Sequence, residues 1–146
     1  MIQRVLVAVD ASPRAPAVLA AAREVAGRFG ARLHVYRAAY LPPDIPAAAH
    51  TPEDGTEAEL RRLETARFNA LVGDAPGLVI EPIDFNVGSP WRAILRTADR
   101  LDADLIVIGA HGFGAIDHLI GTTAGKVVNH SSRSVFVVRE RPPPPR

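Results

Sequence analysis

The segment Ala103-Asp104-Leu105-Ile106-Val107-Ile108-Gly109-Ala110-His111-Gly112-Phe113-Gly114 decides the fold. Its first half is a short run of apolar, β-branched residues, and such runs of about four to eight residues read as buried strands. Its second half places three glycines in six residues directly after that strand. Without a Cβ, a glycine lets the backbone come close to a neighbour or a ligand.

Four similar apolar runs lie outside this segment: Val5–Val9, Arg32–Tyr36, Val79–Val87 and Ser134–Val138. Between them the apolar spacing turns helical. Ser12 can N-cap a first helix, with Pro13 at its first position. Val18, Leu19, Ala22, Val25, Ala26 and Phe29 then share one face, and Gly30 supplies the stop. After a Pro- and Ala-rich loop, Thr51-Pro52-Glu53-Asp54 has capping-box spacing for a second helix through Leu60, Leu63, Phe68 and Leu71. Ser89 and Pro90 repeat the first helix's start, with Ile94, Leu95, Ala98 and Leu101 facing inward. A fourth helix carries Leu119/Ile120, Thr123/Ala124 and Val127/Val128. The tail from Arg141 to Arg146 reads as a short polyproline II extension.

The order βαβαβαβαβ implies a single open, twisted, five-stranded parallel sheet with helices on both faces. Strand orders 2-1-3-4-5 and 3-2-1-4-5 both satisfy it. Pro82 lies inside the third run, and proline is tolerated mainly at sheet edges. Only the order 3-2-1-4-5 puts that strand on an edge. The expected organisation is one domain over residues 1–140 and a Pro-rich tail over 141–146.

Composition narrows the function. The 17 basic and 16 acidic residues are interspersed and leave a net charge of +1, so the clustered positive charge of a nucleic-acid binder is missing. There is no cysteine, hence no thiolate metal site and no cysteine nucleophile. The opening apolar run is too short for a signal peptide, and no stretch approaches the ~20 apolar residues of a membrane span. A cytoplasmic protein is expected.

In open α/β sheets, ligands bind past the carboxyl ends of the strands where the strand order switches. Here that switch falls between the first and fourth strands, at Ala8-Val9-Asp10 and Ile108-Gly109. Gly121-Thr122-Thr123 follows in the early part of the fourth helix. Backbone N–H groups there can hold an anion, and the two hydroxyls can bond a phosphate or a hydrated metal. The alternative is a glycine-rich turn that merely reverses the chain. Gly121-Thr-Thr-Ala-Gly125-Lys126 fails as a P-loop, because Ile120 and Val127 stand where Gly and Ser or Thr belong. Asp117 breaks a G-x-G-x-x-G reading. His118 and His130 read as solvated helix residues, and Trp91 as core or a partly buried cover. No nucleophile-elbow context exists, so no catalytic residue and no metal ligand set is assigned.

Gly109-x-x-Gly112, a spacer and Gly121-Thr122 resemble the ATP-binding signature G-x2-G-x9-G-[ST] of universal stress proteins. The resemblance extends over almost the whole chain, through Val5–Ser12, His34-Val35, Val87–Pro90, Ala103–Gly109 and Ser134–Arg139. The spacer Phe113–Ile120 has eight residues where the pattern has nine, which bears on affinity and nucleotide choice. The resemblance implies adenine near Ala8, Val9, Asp10 and Val35. It implies ribose and α-phosphate near Ile108, Gly109 and Gly112, with His111 in the same loop. The outer phosphates would meet Gly121, Thr122 and Thr123. The implied ligand is ATP, with Mg2+ as its companion, in a regulatory protein with at most slow hydrolysis. The last strand resembles a dimer seam, which implies a homodimer through Val135, Phe136, Val137 and Val138. Two rivals remain: a dimeric scaffold without nucleotide, and a nucleotide-dependent enzyme on the same fold.

Overall fold

A computed structural model of the chain describes residues 1–39, 56–85, 88–110 and 120–140. The described elements are β1 (Arg4–Ala8), α1 (Ala15–Phe29), β2 (Arg32–Tyr36), α2 (Thr56–Val72), β3 (Leu78–Ile80), α3 (Pro90–Arg100), β4 (Leu105–Gly109), α4 (Thr122–His130) and β5 (Ser134–Val138). The strands form one parallel sheet in the order β3-β2-β1-β4-β5. Alternate residues of β1 serve the two faces, as the strand pleat requires. Val5, Val7 and Val9 pack with Val18, Leu19 and Ala22 of α1 and with Phe68 of α2. Leu6 and Ala8 pack with Ile94 and Ala98 of α3 and with Ala124 and Val127 of α4. Among the described residues, no helix is long and apolar enough to cross a membrane.

The third run is shorter than its composition suggests. β3 ends at Ile80, and Pro82 lies just past it. The Glu81 N–H donates to the Val35 carbonyl, but the next bond to this edge comes from Asp84, whose N–H donates to the Arg37 carbonyl. A regular parallel ladder would use residue 83. One extra residue is therefore looped out around Pro82, which has no N–H to give. The edge position is correct, and proline shapes the edge by breaking the ladder rather than by sitting within it.

Helix α1 begins at Ala15, later than expected. Asp10 and Ser12 hold the preceding turn instead: Asp10 Oδ1 accepts the Ser12 N–H at 2.9 Å, and Ser12 Oγ accepts the Arg14 N–H at 3.3 Å. Short polar side chains that bond the backbone two residues on stabilise a turn in place of a helix. Gly30 closes the helix in the left-handed conformation at φ 62°, as a C-terminal glycine should. Phe29, the last residue of α1, is 53% exposed rather than core. Ser89 stands at the cap of α3 with no side-chain bond, and its carbonyl receives the Arg92 and Ala93 N–H groups. Of the apolar residues in and just before α4, Ile120 and Val128 are exposed, while Ala124 and Val127 carry its contact with the core. The capping-box reading at Thr51–Asp54 and the tail lie outside the described residues.

Candidate functional site

β1 is the centre of the sheet. From it the chain passes to β2 and β3 on one side, and β4 and β5 lie on the other. The exits of β1 and β4 therefore diverge and leave a crevice between them. Ala8 is the register partner of Ile108, so Val9 and Asp10 leave the sheet beside Gly109. The Gly121 N–H donates to the Ala110 carbonyl at 2.7 Å, and the Ala110 N–H donates to Val138 at 2.9 Å. These two bonds pin the start of α4 to the ends of β4 and β5. Ala8, Val9, Asp10, Ile108, Gly109, Gly121, Thr122 and Thr123 are thus brought to one end of the sheet. His111 and Gly112 lie outside the described residues.

Gly121 is the N-cap of α4 rather than a residue within it, at φ −59° and ψ 160°. Its own N–H is bonded to Ala110, so it does not point at a ligand. The donors left for an anion are those of the helix's first turn, Thr122, Thr123 and Ala124, which have no acceptor within the helix. They stand at the positive end of the helix dipole. Thr122 is exposed and Thr123 half-buried. Asp10 is exposed, and its carboxylate is held by Ser12. An acceptor-only group fixed in this way suits a sugar hydroxyl or a hydrated cation. Val9 and Val35 are the residues expected to form an apolar slot. Both are buried in the core, and the Val35 carbonyl accepts the Glu81 N–H.

Sequence reasoning missed a buried polar layer. His34 Nδ1 lies 2.8 Å from Glu81 Oε1, and Arg100 Nη2 donates to Glu81 Oε2 at 2.8 Å. Burial by itself would raise the Glu81 carboxyl, but the hydrogen bonds from Arg100 and His34 outweigh it and hold its pKa below the ordinary value. The Tyr36 hydroxyl donates to Asp84 Oδ2 at 3.0 Å. Burial, aided by the nearby Asp84 charge, pushes its pKa up to about 12. Arg37, at the exit of β2, is buried and paired with Glu64 of α2. His34, Tyr36 and Arg37 stand in or beside an apolar run, and their partners are 27 to 48 residues away. Only the parallel pairing of β2 with β3 brings the partners of His34 and Tyr36 within reach. At the opposite edge, Phe136 of β5 is 44% exposed, while Val135 and Val137 pack inward. Trp91 is partly buried and stacks on the exposed His130 ring at 4.7 Å, so both residues are covers on the α3–α4 face.

The sequence pattern of the Universal stress protein family matches residues 1–139 of this chain. A universal stress protein of Thermus aquaticus is 34% identical over 140 residues, which is 95% of this chain and 100% of the relative. The structure of the universal stress protein UspA from Lactobacillus plantarum has 27% identity and a TM-score of 0.71, covering 94% of this chain and 98% of that one. A universal stress protein from Archaeoglobus fulgidus, solved in complex with dAMP, has 26% identity and a TM-score of 0.62, covering 95% of this chain and 100% of that one.

Proposed function

The chain belongs to the universal stress protein family, and on that premise we propose that it is a regulatory protein that binds an adenine nucleotide, ATP first among them, at the β1–β4 crevice. The observation that carries this reading is the start of α4. It is tied to the end of β4 through Gly121 and Ala110, at the same end of the sheet as the exit of β1 at Asp10. An anion placed there meets several N–H groups and a favourable dipole at once. Support for an adenylate comes from the Archaeoglobus relative solved with dAMP. Thr122 and Thr123 would receive the outer phosphates, and Asp10 the ribose or a hydrated Mg2+. Bound magnesium would neutralise phosphate charge. The chain's own residues would orient the nucleotide, and any hydrolysis would be slow.

The test begins with protein purified without added nucleotide. The supernatant after denaturation is separated by ion exchange, and the stripped protein is titrated with Mg-ATP by calorimetry. Co-purified adenylate or saturable micromolar binding is the expected result, and neither appearing would reject the reading. Gly121→Val is the sharper probe. The backbone there is extended and admits a side chain without strain, so the fold should be kept. Two methyl groups at the mouth of the cradle should weaken ATP at least about 100-fold, or about 2.7 kcal/mol. Unchanged affinity would move the phosphates elsewhere.

A second reading, a dimeric scaffold without nucleotide, has one observation in its favour: the Gly121 N–H is already bonded within the chain. Both readings share a homodimer through Val135, Phe136, Val137 and Val138. β5 is an edge strand with an exposed phenyl ring, and such an edge tends to pair with a second copy. Phe136→Asp is therefore expected to convert a dimer into a monomer in sedimentation velocity at micromolar concentration. A wild-type protein that sediments as a monomer would remove the seam.

A further inference from the structure

Trp91, the single tryptophan of the chain, opens α3 and reaches across to α4. Cationic side chains gather on its ring. The Arg92 guanidinium lies 5.1 Å from the ring centroid, and the Lys126 ammonium 5.8 Å from it. Both are inside the ~6 Å range in which a cation is drawn to an aromatic face. His130 stacks on the same ring at 4.7 Å. Arg96 stands one turn beyond Arg92, and residues four apart on a helix are neighbours on its surface. These four companions are exposed, whereas Trp91 is half-buried.

The charges lack local compensation. Among the described residues, no carboxylate pairs with Arg92, Arg96 or Lys126. Helix α2 is built differently: Arg61, Arg62 and Arg67 each meet a glutamate three or four residues away. Arg92 and Lys126 have no acid at that spacing. Arg96 has one, Asp99, but its Oδ1 already accepts from two nitrogens of Arg133.

Uncompensated cations on an aromatic platform suit an anionic partner, and the size of the patch says which kind. Helix α3 has 11 residues, a length of about 16 Å. About five extended peptide residues cover that span. A nucleic acid draws on a row of phosphate contacts and a wide positive field, and the chain carries a net charge of only +1. Trp and Arg are the side chains that most often dominate protein–protein interfaces. The His130 stack holds Trp91 in place before a partner arrives, which lowers the ordering cost of binding.

We propose that Trp91, Arg92, Lys126 and His130 form a docking site for a short acidic segment of a partner protein. Its carboxylates pair with Arg92, Lys126 and, further along, Arg96, and its chain covers the free edge of the Trp91 ring. Lys126 lies in the second turn of α4, beyond the first-turn donors, so the site stands whether or not a nucleotide is bound.

A capped hexaglutamate peptide is the probe. It is titrated into the full chain at low salt and followed by Trp91 fluorescence, which reports this patch alone. Amide shifts of the 15N-labelled protein run in parallel. A saturable fluorescence change is expected, with shifts at Arg92, Lys126 and His130, and with weaker binding at about 150 mM salt. Arg92→Glu and Lys126→Glu alter exposed side chains and should each weaken the peptide about tenfold or more. Arg23→Glu, an exposed cation on α1, should bind like wild type. Gly121→Val should also bind like wild type, which separates this site from the nucleotide reading. Four results would each overturn the proposal: no saturable change, a loss in Arg23→Glu equal to that in Lys126→Glu, a loss in Gly121→Val, or tighter binding of a ten-nucleotide oligothymidylate than of the peptide.

Discussion

Glu81→Ala is expected to lower the unfolding free energy by about 2–4 kcal/mol near neutral pH, measured by urea denaturation. Glu81 is buried and is the shared acceptor for His34 Nδ1 and Arg100 Nη2. His34 Nε2 already has no partner among the described residues. Removing the carboxylate leaves the whole imidazole buried without an acceptor, directly behind β2. Arg100 is more than half exposed and can return to water, so the loss comes mainly from His34. Glu81→Gln should recover part of the deficit, since its amide oxygen can still accept from His34. A cost below about 1 kcal/mol for the alanine variant would mean that water enters and satisfies the ring.

The same layer gives the protein two pH limits. Glu81 has a folded pKa below its ordinary 4.5. Its contribution is therefore complete above the unfolded value and is lost as pH falls through the folded one. Glu81→Gln should flatten the acid arm of the stability curve below about pH 4.5. Tyr36 acts in the opposite sense. Its pKa rises from 10.0 to about 12, so its contribution is complete below pH 10 and disappears as pH climbs towards 12. Holding the phenol neutral over that range is worth about 2–3 kcal/mol for this buried group. The chain has two tyrosines, Tyr36 and Tyr40, so ultraviolet titration can resolve them. Tyr36→Phe should remove the later step and flatten the alkaline arm. A single tyrosine step near pH 10 in the wild type would refute the assignment.

These groups mark the limit of what the sequence discloses. Strand runs and helix stops depend on neighbours within one turn or one pleat. The strand runs, the helix stop at Gly30, and Pro82 as the edge marker that selects the order 3-2-1-4-5 are legible for that reason. Two differences between expectation and structure have one origin, a local signal that a nearby contact overrides. Ser-Pro is a good helix start, yet Asp10 and Ser12 bond the turn more locally and delay α1 to Ala15. Gly121 has the spacing of an anion donor, yet its N–H is bonded to Ala110, a contact that depends on where α4 docks. The Glu81 and Arg37 pairs are invisible for a different reason. An isolated His or Arg in an apolar run carries no sign of a partner tens of residues away, and only the tertiary fold supplies it.

Leu6→Ala tests the centre of the fold and the proposed ligand together. Leu6 is fully buried on β1, with β2 and β4 on either side and α3 and α4 above it. The strands on both sides limit collapse around a lost isobutyl group. A loss of about 3–4 kcal/mol is therefore expected, out of a total stability of about 5–15 kcal/mol. The change lies beneath the crevice rather than in it, so intrinsic affinity should survive. A ligand that binds only the folded state at about 100 times its dissociation constant restores about 2.7 kcal/mol. Saturating Mg-ATP should then shift the urea midpoint of Leu6→Ala by nearly the same free energy as in the wild type. Equal shifts would locate the nucleotide on a native-like surface whose geometry does not need this side chain. A shift in the wild type alone would mean that the cradle at Gly121–Thr123 depends on tight packing of the sheet behind it. No shift in either protein would leave the crevice without a nucleotide and favour the dimeric scaffold.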